Sequence, residues 1–203
     1  MIIHTYERTE RGRACERYIK DAGARCREIY ILPIPSTRDG IYLKDTDVPI
    51  SDIVKASGEG VYIISYGIGD ALKEEMRSRG AVVYDAALDE EFLEGNADLT
   101  ALATLGVLLE SEERVPRDLS FGVVGYGRIG KRLVRLLLFL ESRVRVYTSS
   151  EKTRLELSEY GIDSVLSERG ADLSGIDILI NTAPAVIFDT GEEIGRASCR
   201  ERV

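Results

Sequence analysis

"FGVVGYGRIGKRLVRLLLFLE", Phe121 to Glu141, passes from a short apolar segment through three glycines into a leucine-rich stripe interrupted by arginines and a lysine. The apolar segment reads as a buried β-strand and the stripe as an amphipathic helix, so the glycines fall at a strand-to-helix turn. Their spacing is Gly125-Tyr126-Gly127-Arg128-Ile129-Gly130. In a G-x-G-x-x-G of this kind the first glycine allows the tight turn and the second lets backbone approach a pyrophosphate. The third lets the helix lie close to the sheet. The N–H groups and positive dipole end of the helix then meet the phosphates. Glycines also make ordinary turns. The strand before this motif and the helix after it favour a dinucleotide site.

Around this motif, short β-branched runs alternate with helical stretches, the pattern of a parallel α/β architecture. Upstream, "MIIHTY" (1–6), "REIYILPIP" (27–35), "GVYIISYG" (60–67) and "AVVYD" (81–85) read as strands. Between them, "ERGRACERYIKDAG" (10–23), "PISDIVKAS" (49–57) and "DALKEEMRSRG" (70–80) read as helices, with Ser51 as the expected N-cap of the second. "DEEFLEGNAD" (89–98) reads as a solvated loop and helix start, and "NADLTALATLGVLLESEE" (96–113) as one long helix. Pro116 bars its continuation. Downstream, "LSFGVV" (119–124), "RVRVYT" (143–148) and "DILINTAPA" (177–185) are strands, "KTRLELSEYG" (152–161) is a helix, and "IDSVL" (162–166) is a short segment between that helix and the last strand. The expected fold is α/β with two Rossmann-like parallel-sheet lobes. The first occupies 1–95, a bridging helix and linker 96–118, and the nucleotide-binding lobe 119–193.

The end of the second strand of that lobe addresses which dinucleotide is bound. NAD sites usually place an acid there, about 20 residues beyond the glycines. Here the strand ends in Thr148, Ser149 and Ser150, with Lys152 and Arg154 just beyond and Glu151 arriving late. Hydroxyls followed by cations suit a 2′-phosphate, which favours NADP over NAD. The alternative is that "SSEK" is an N-cap followed by solvated charges. Thr182, Ala183 and Pro184 close the fourth strand, where ligands of open parallel sheets bind; Asn-Thr-x-Pro is also common turn chemistry.

In the first lobe, the loop with Ser36, Thr37 and Arg38 could bind a carboxylate, as could the helix opened by Gly67 to Gly69; both are equally ordinary turns. His4, the single histidine, reads as a packed strand residue, and neither Cys15 nor Cys26 has a His or acid partner suggested by spacing. No catalytic residue and no metal-ligand set emerges. The net charge of −8 gives the chain no general attraction for nucleic acid or anionic membrane. No apolar segment reads as long enough to cross a bilayer, and the N-terminus lacks the order of a signal peptide. Cys15, Cys26 and Cys199 show no disulfide framework, so a reducing cytoplasm is the expectation. "IGRASCRERV", Ile194 to Val203, coincides with one reading frame of a common sequencing adapter. The expectation is an artefactual tail at 194–203 and a nucleotide-binding lobe cut short.

The order "ILPIPSTRDG", "YDAALDEEFLEGNADLTALATLG", "VVGYGRIGKRL", "VYTSSEK", "DILINTAPAVIF" resembles the A subunit of dipicolinate synthase. More broadly it is similar to the dinucleotide-binding folds of D-2-hydroxyacid dehydrogenases and S-adenosylhomocysteine hydrolase. The resemblance implies an oxidoreductase that oxidises a dihydrodipicolinate-type small dicarboxylate with NADP, alongside a small flavoprotein-like B subunit. Homo-oligomerisation is left open. By position, Gly125, Gly127 and Gly130 would hold the pyrophosphate, Thr148 to Ser150 the 2′-phosphate, and Thr182 to Pro184 would lie by the nicotinamide. Ser36 and Thr37 would face the dicarboxylate, with Asn96 and Thr100 bordering the cleft. Two rivals are a D-2-hydroxyacid dehydrogenase and a non-catalytic nucleotide-sensing module.

Overall fold

The computed structural model describes residues 1–6, 10–23, 26–37, 39–167 and 171–184. Arg38 and the adapter-like tail therefore lie outside the described residues. The chain divides into two compact units, Met1–Leu93 and Glu94–Val203.

The first unit alternates β1 (Ile2–Thr5), α1 (Glu10–Asp21), β2 (Glu28–Ile31), α2 (Ile50–Ala56), β3 (Val61–Ser65), α3 (Asp70–Ser78) and β4 (Val82–Asp85). The four strands form one parallel sheet in sequential order β1-β2-β3-β4. Apolar side chains of β2, β3 and β4 pack with α2 and α3 in a core that includes Tyr30, Ile53, Val61, Ile63 and Met76. Ser51 does not cap α2. The N-cap is Pro49, which makes no side-chain cap bond, and Ser51 lies exposed in the first turn. His4 stacks on Tyr30 with ring centroids 4.4 Å apart, and its Nε2 lies 3.3 Å from a Glu28 carboxylate oxygen.

The long helix α4 runs Glu90–Ser111, starting six residues before the expected Asn96. Asp89 explains the earlier start. Its carboxylate accepts the Phe92 N–H at 3.0 Å, so "DEEF" is a cap and first turn rather than a loop. At 22 residues, α4 is long and apolar enough by length and composition to cross a membrane, contrary to the sequence expectation. In the structure, however, its mid-helix carboxylates Glu94 and Asp98 pair with Arg132.

The second unit continues with β5 (Ser120–Val124), α5 (Arg128–Phe139), β6 (Arg143–Thr148), α6 (Glu151–Glu159), β7 (Asp163–Leu166) and β8 (Ile178–Asn181). "IDSVL" is thus a strand, pairing Thr148 with Leu166. All pairings are parallel and the order is β7-β6-β5-β8. The chain steps outward from β5 to β7, then returns so that β8 lies on the other side of β5. The strand order reverses beside β5, the position at which doubly wound sheets open a crevice. Leu133, Val134 and Leu137 of α5 pack with Leu119, Phe121 and Val123 and with Val146 of β6.

Gly122, inside β5, is dictated by packing. A Cβ there would stand 2.7 Å from Leu179 Cδ1 and 3.0 Å from Tyr147 Cε2. The fully buried Tyr147 ring takes the space that a side chain at 122 would need, and its hydroxyl donates to the Asp172 carbonyl at 2.9 Å.

Candidate functional site

The three motif glycines sit where β5 turns into α5, and their surroundings differ. Gly125 has φ = 90°, a left-handed conformation costly for any side chain. Gly130 faces a steric wall: a Cβ there would stand 2.3 Å from the Gly125 carbonyl oxygen and 3.0 Å from Thr182 Oγ1. Gly127 is different. Its backbone is extended, with φ = −80°, and a Cβ there would meet nothing within 4 Å. Nothing in the chain's own packing requires a glycine at 127. It is the N-cap of α5 and supplies no side-chain cap. The first turn of that helix therefore presents backbone N–H groups and the positive dipole end beside an exposed, uncrowded backbone.

The other loop residues frame this opening. Tyr126 is half-buried, with Lys131 Nζ 5.7 Å from its ring centroid, and burial raises its hydroxyl pKa. Ile129 is half-buried, whereas Arg128 is exposed and its Nε lies 3.0 Å from Glu94. Arg132, with Arg128 behind it, holds the Glu94 carboxyl below its ordinary range. Both arginines are thus tied to acids of α4.

At the end of β6, Thr148 is buried and Ser149 exposed. Thr148 Oγ1 accepts the Ser150 N–H at 3.2 Å, and Ser150 Oγ accepts the Thr153 N–H at 3.2 Å as the N-cap of α6. The N-cap alternative for this segment is thus realised. A hydroxyl that accepts one bond still has a proton to donate, and it can donate to a ribose hydroxyl or to a phosphate alike. The nearby cations have acidic neighbours. Arg154 is bidentate to Glu151, and Lys152 lies 3.8 Å from Glu156.

Beyond β8, Thr182 Oγ1 donates to the Val124 carbonyl at 2.9 Å and reaches the Gly125 carbonyl at 3.3 Å. Asn181 Oδ1 accepts the Ala183 N–H at 2.9 Å, and Pro184 is exposed. The glycine loop and the Thr182–Pro184 turn are therefore neighbours at the strand-order reversal. Asn96 and Thr100 lie one turn apart on α4, where the Thr100 hydroxyl donates to the Asn96 carbonyl at 2.7 Å.

In the first unit, Ser36 is fully buried, and its hydroxyl accepts the Tyr66 N–H at 2.8 Å, so it closes a loop rather than facing a surface. Thr37 is half-buried and bridges to Leu43. The turn at Gly67 is engaged as well, donating its N–H to Asp85 at 2.8 Å. Asp85 and Lys73, which no sequence motif singles out, form a buried pair at 3.1 Å. They lie twelve positions apart in the sequence, and only the fold makes them partners.

Solved structures share this fold. The A subunit of dipicolinate synthase from Bacillus halodurans superposes with a TM-score of 0.58 at 18% identity, over 78% of this chain and 57% of that one. Its counterpart from Bacillus subtilis gives 0.64 at 17% identity, over 92% and 72%. This chain shares its fold with the A subunit of dipicolinate synthase. A D-lactate dehydrogenase from Sporolactobacillus aligns at a TM-score of 0.46 and 17% identity, over 91% of this chain and 62% of that one. No family model matches the chain, and no curated protein does. Set beside the dipicolinate synthase fold, the chain spans 57% of the first relative's length and 72% of the second's.

Proposed function

We propose that the second unit holds a nicotinamide dinucleotide for an oxidoreductase of the dipicolinate synthase kind, acting on a small dihydrodipicolinate-type dicarboxylate. The observation that carries this reading is Gly127. Its Cβ position is open, its backbone is ordinary, and it begins a helix without a side-chain cap at the reversal of strand order. Gly69 opens α3 in the same way, and what sets Gly127 apart is the reversal of strand order beside it, where open backbone and a helix N-terminus suit an anion. When bound, the nicotinamide supplies hydride chemistry. The chain's part is to cradle the pyrophosphate on the amides of the α5 first turn and to hold the adenosine end with the Thr148–Ser150 hydroxyls. NADP is the preferred form in this reading, supported by the absence of a carboxylate among Thr148, Ser149 and Ser150. A flavoprotein-like partner and a cytoplasmic setting belong to the same proposal.

The test uses the chain's ten tyrosines and lack of tryptophan. Quenching of tyrosine fluorescence is followed while NADPH or NADH is added. NADPH is expected to bind more tightly, and Ser149→Asp to weaken it about tenfold by placing like charge beside the phosphate. Equal affinity for the two coenzymes would remove the NADP preference and leave the nicotinamide reading. Binding of neither would overturn the whole assignment.

A further inference from the structure

Thr182 is where β8 meets the glycine loop, and its hydrogen bonds run to the loop. The Val124 carbonyl accepts both the Thr182 N–H and its hydroxyl, each at 2.9 Å, and the hydroxyl also reaches the Gly125 carbonyl at 3.3 Å. The Gly125 carbonyl is confined from the other side too, since a Cβ at Gly130 would lie 2.3 Å from it. One hydroxyl from a different strand thus holds the two carbonyls that form the turn, and the first helical turn closes over the second of them.

The consequence follows from peptide geometry. In a trans peptide the C=O and the next N–H point in opposite directions. Holding the Gly125 carbonyl toward Thr182 aims the Tyr126 N–H away from β8. The same constraint sets the path of the chain into Gly127, whose Cβ side is open.

We infer that Thr182 is a positioning residue for the dinucleotide's pyrophosphate, acting by fixing the Gly125–Gly127 backbone rather than by touching the ligand. This rests on the dinucleotide reading above. It replaces the placement of Thr182 against the nicotinamide with a role on the loop. It also explains why the position carries a hydroxyl amino acid: valine would fill the same volume but take the hydroxyl from the Gly125 carbonyl and leave the Val124 carbonyl with the backbone N–H of residue 182 alone.

The experiment compares Thr182→Val and Thr182→Ser with the unaltered chain in three measurements: affinity for NADPH, melting temperature without ligand, and hydrogen exchange at the amides of Tyr126 to Gly130. Thr182→Val is expected to weaken NADPH about tenfold, the loss of one hydrogen bond of ordinary net strength. It should also speed exchange at Tyr126 and Gly127, while Thr182→Ser restores both. A role confined to stability would lower the melting temperature without changing the affinity of the folded protein. Unchanged affinity and exchange in Thr182→Val would overturn the inference, and so would a serine variant as impaired as the valine one. If the unaltered chain binds no dinucleotide, the functional reading fails first. Exchange in Thr182→Val then still reports whether the hydroxyl holds the loop.

Discussion

The two units have the same composition of parts, four parallel strands with helices between them, yet their strand-end loops differ. In the first unit the strands follow one another across the sheet without reversal. Polar groups at the strand ends are engaged within the unit. Asp85 accepts from Gly67 and Ala87 N–H and from Lys73, and Ser36 accepts from Tyr66. Both units open a helix at an extended glycine without a side-chain cap, Gly69 for α3 and Gly127 for α5, but only the second unit reverses strand order beside that turn. Similar secondary structure therefore yields a sheet without a reversal in one unit and a sheet with one beside its glycine turn in the other. Strand order and the allocation of hydrogen bonds make the difference.

Breaking the first unit's buried ion pair should have the largest effect. Lys73 and Asp85 are both buried, and Asp70 and then Asp85 push the Lys73 ammonium above its usual range. Lys73→Met strands a buried carboxylate, and urea unfolding should show a loss of roughly 3–5 kcal/mol. Replacing Asp85 by asparagine in the same chain should recover part of it, because the amide oxygen is uncharged and still accepts the Gly67 and Ala87 N–H. The glycines sharpen the contrast from the other side. Gly130→Ala drives a methyl into the Gly125 carbonyl and should cost about 1–3 kcal/mol along with dinucleotide binding. Gly127→Ala should lower the melting temperature by no more than about 2–4 °C, the N-cap preference for glycine over alanine, while weakening NADPH about tenfold. If Gly127→Ala instead lowers stability further and leaves affinity unchanged, that glycine serves the chain and not a ligand.

The smallest effect is electrostatic and lies in the second unit. Arg114 holds the Glu112 carboxyl at about 2, against an ordinary 4.5. The Ser120 N–H and then Arg114 hold Asp177 low as well. A carboxyl depressed in the folded state stabilises above its unfolded value and loses that contribution as pH falls toward its folded one. The melting temperature should therefore decline as pH drops from about 4.5 to about 2. Arg114→Met should flatten the decline, and an unchanged slope would show that these exposed pairs contribute nothing.

Much of the fold is legible because its signals are local. β-branched runs, helical periodicity and the Gly125–Gly130 spacing all act within a few residues, through backbone sterics and short-range patterning. The motif falls on its strand and helix for the same reason. The start of α4 is harder to read because Asp89 looks like one more solvated acid until its bond to Phe92 makes it a cap, and the extra turns also lengthen the apolar helix. What stays hidden depends on groups far apart in the chain. A serine hydroxyl has the same chemistry whether it closes a loop, as Ser36 does through Tyr66 thirty residues away, or faces solvent, as Ser149 does. Sequence alone determined the alternation of strands and helices and a turn suited to phosphates. The reversal of strand order beside that turn, the bond from Thr182 across 58 residues to Val124, and the Tyr147 ring that makes Gly122 necessary were decided by tertiary structure. Which polar groups are already satisfied, and which remain to meet a ligand, is set only when distant segments pack.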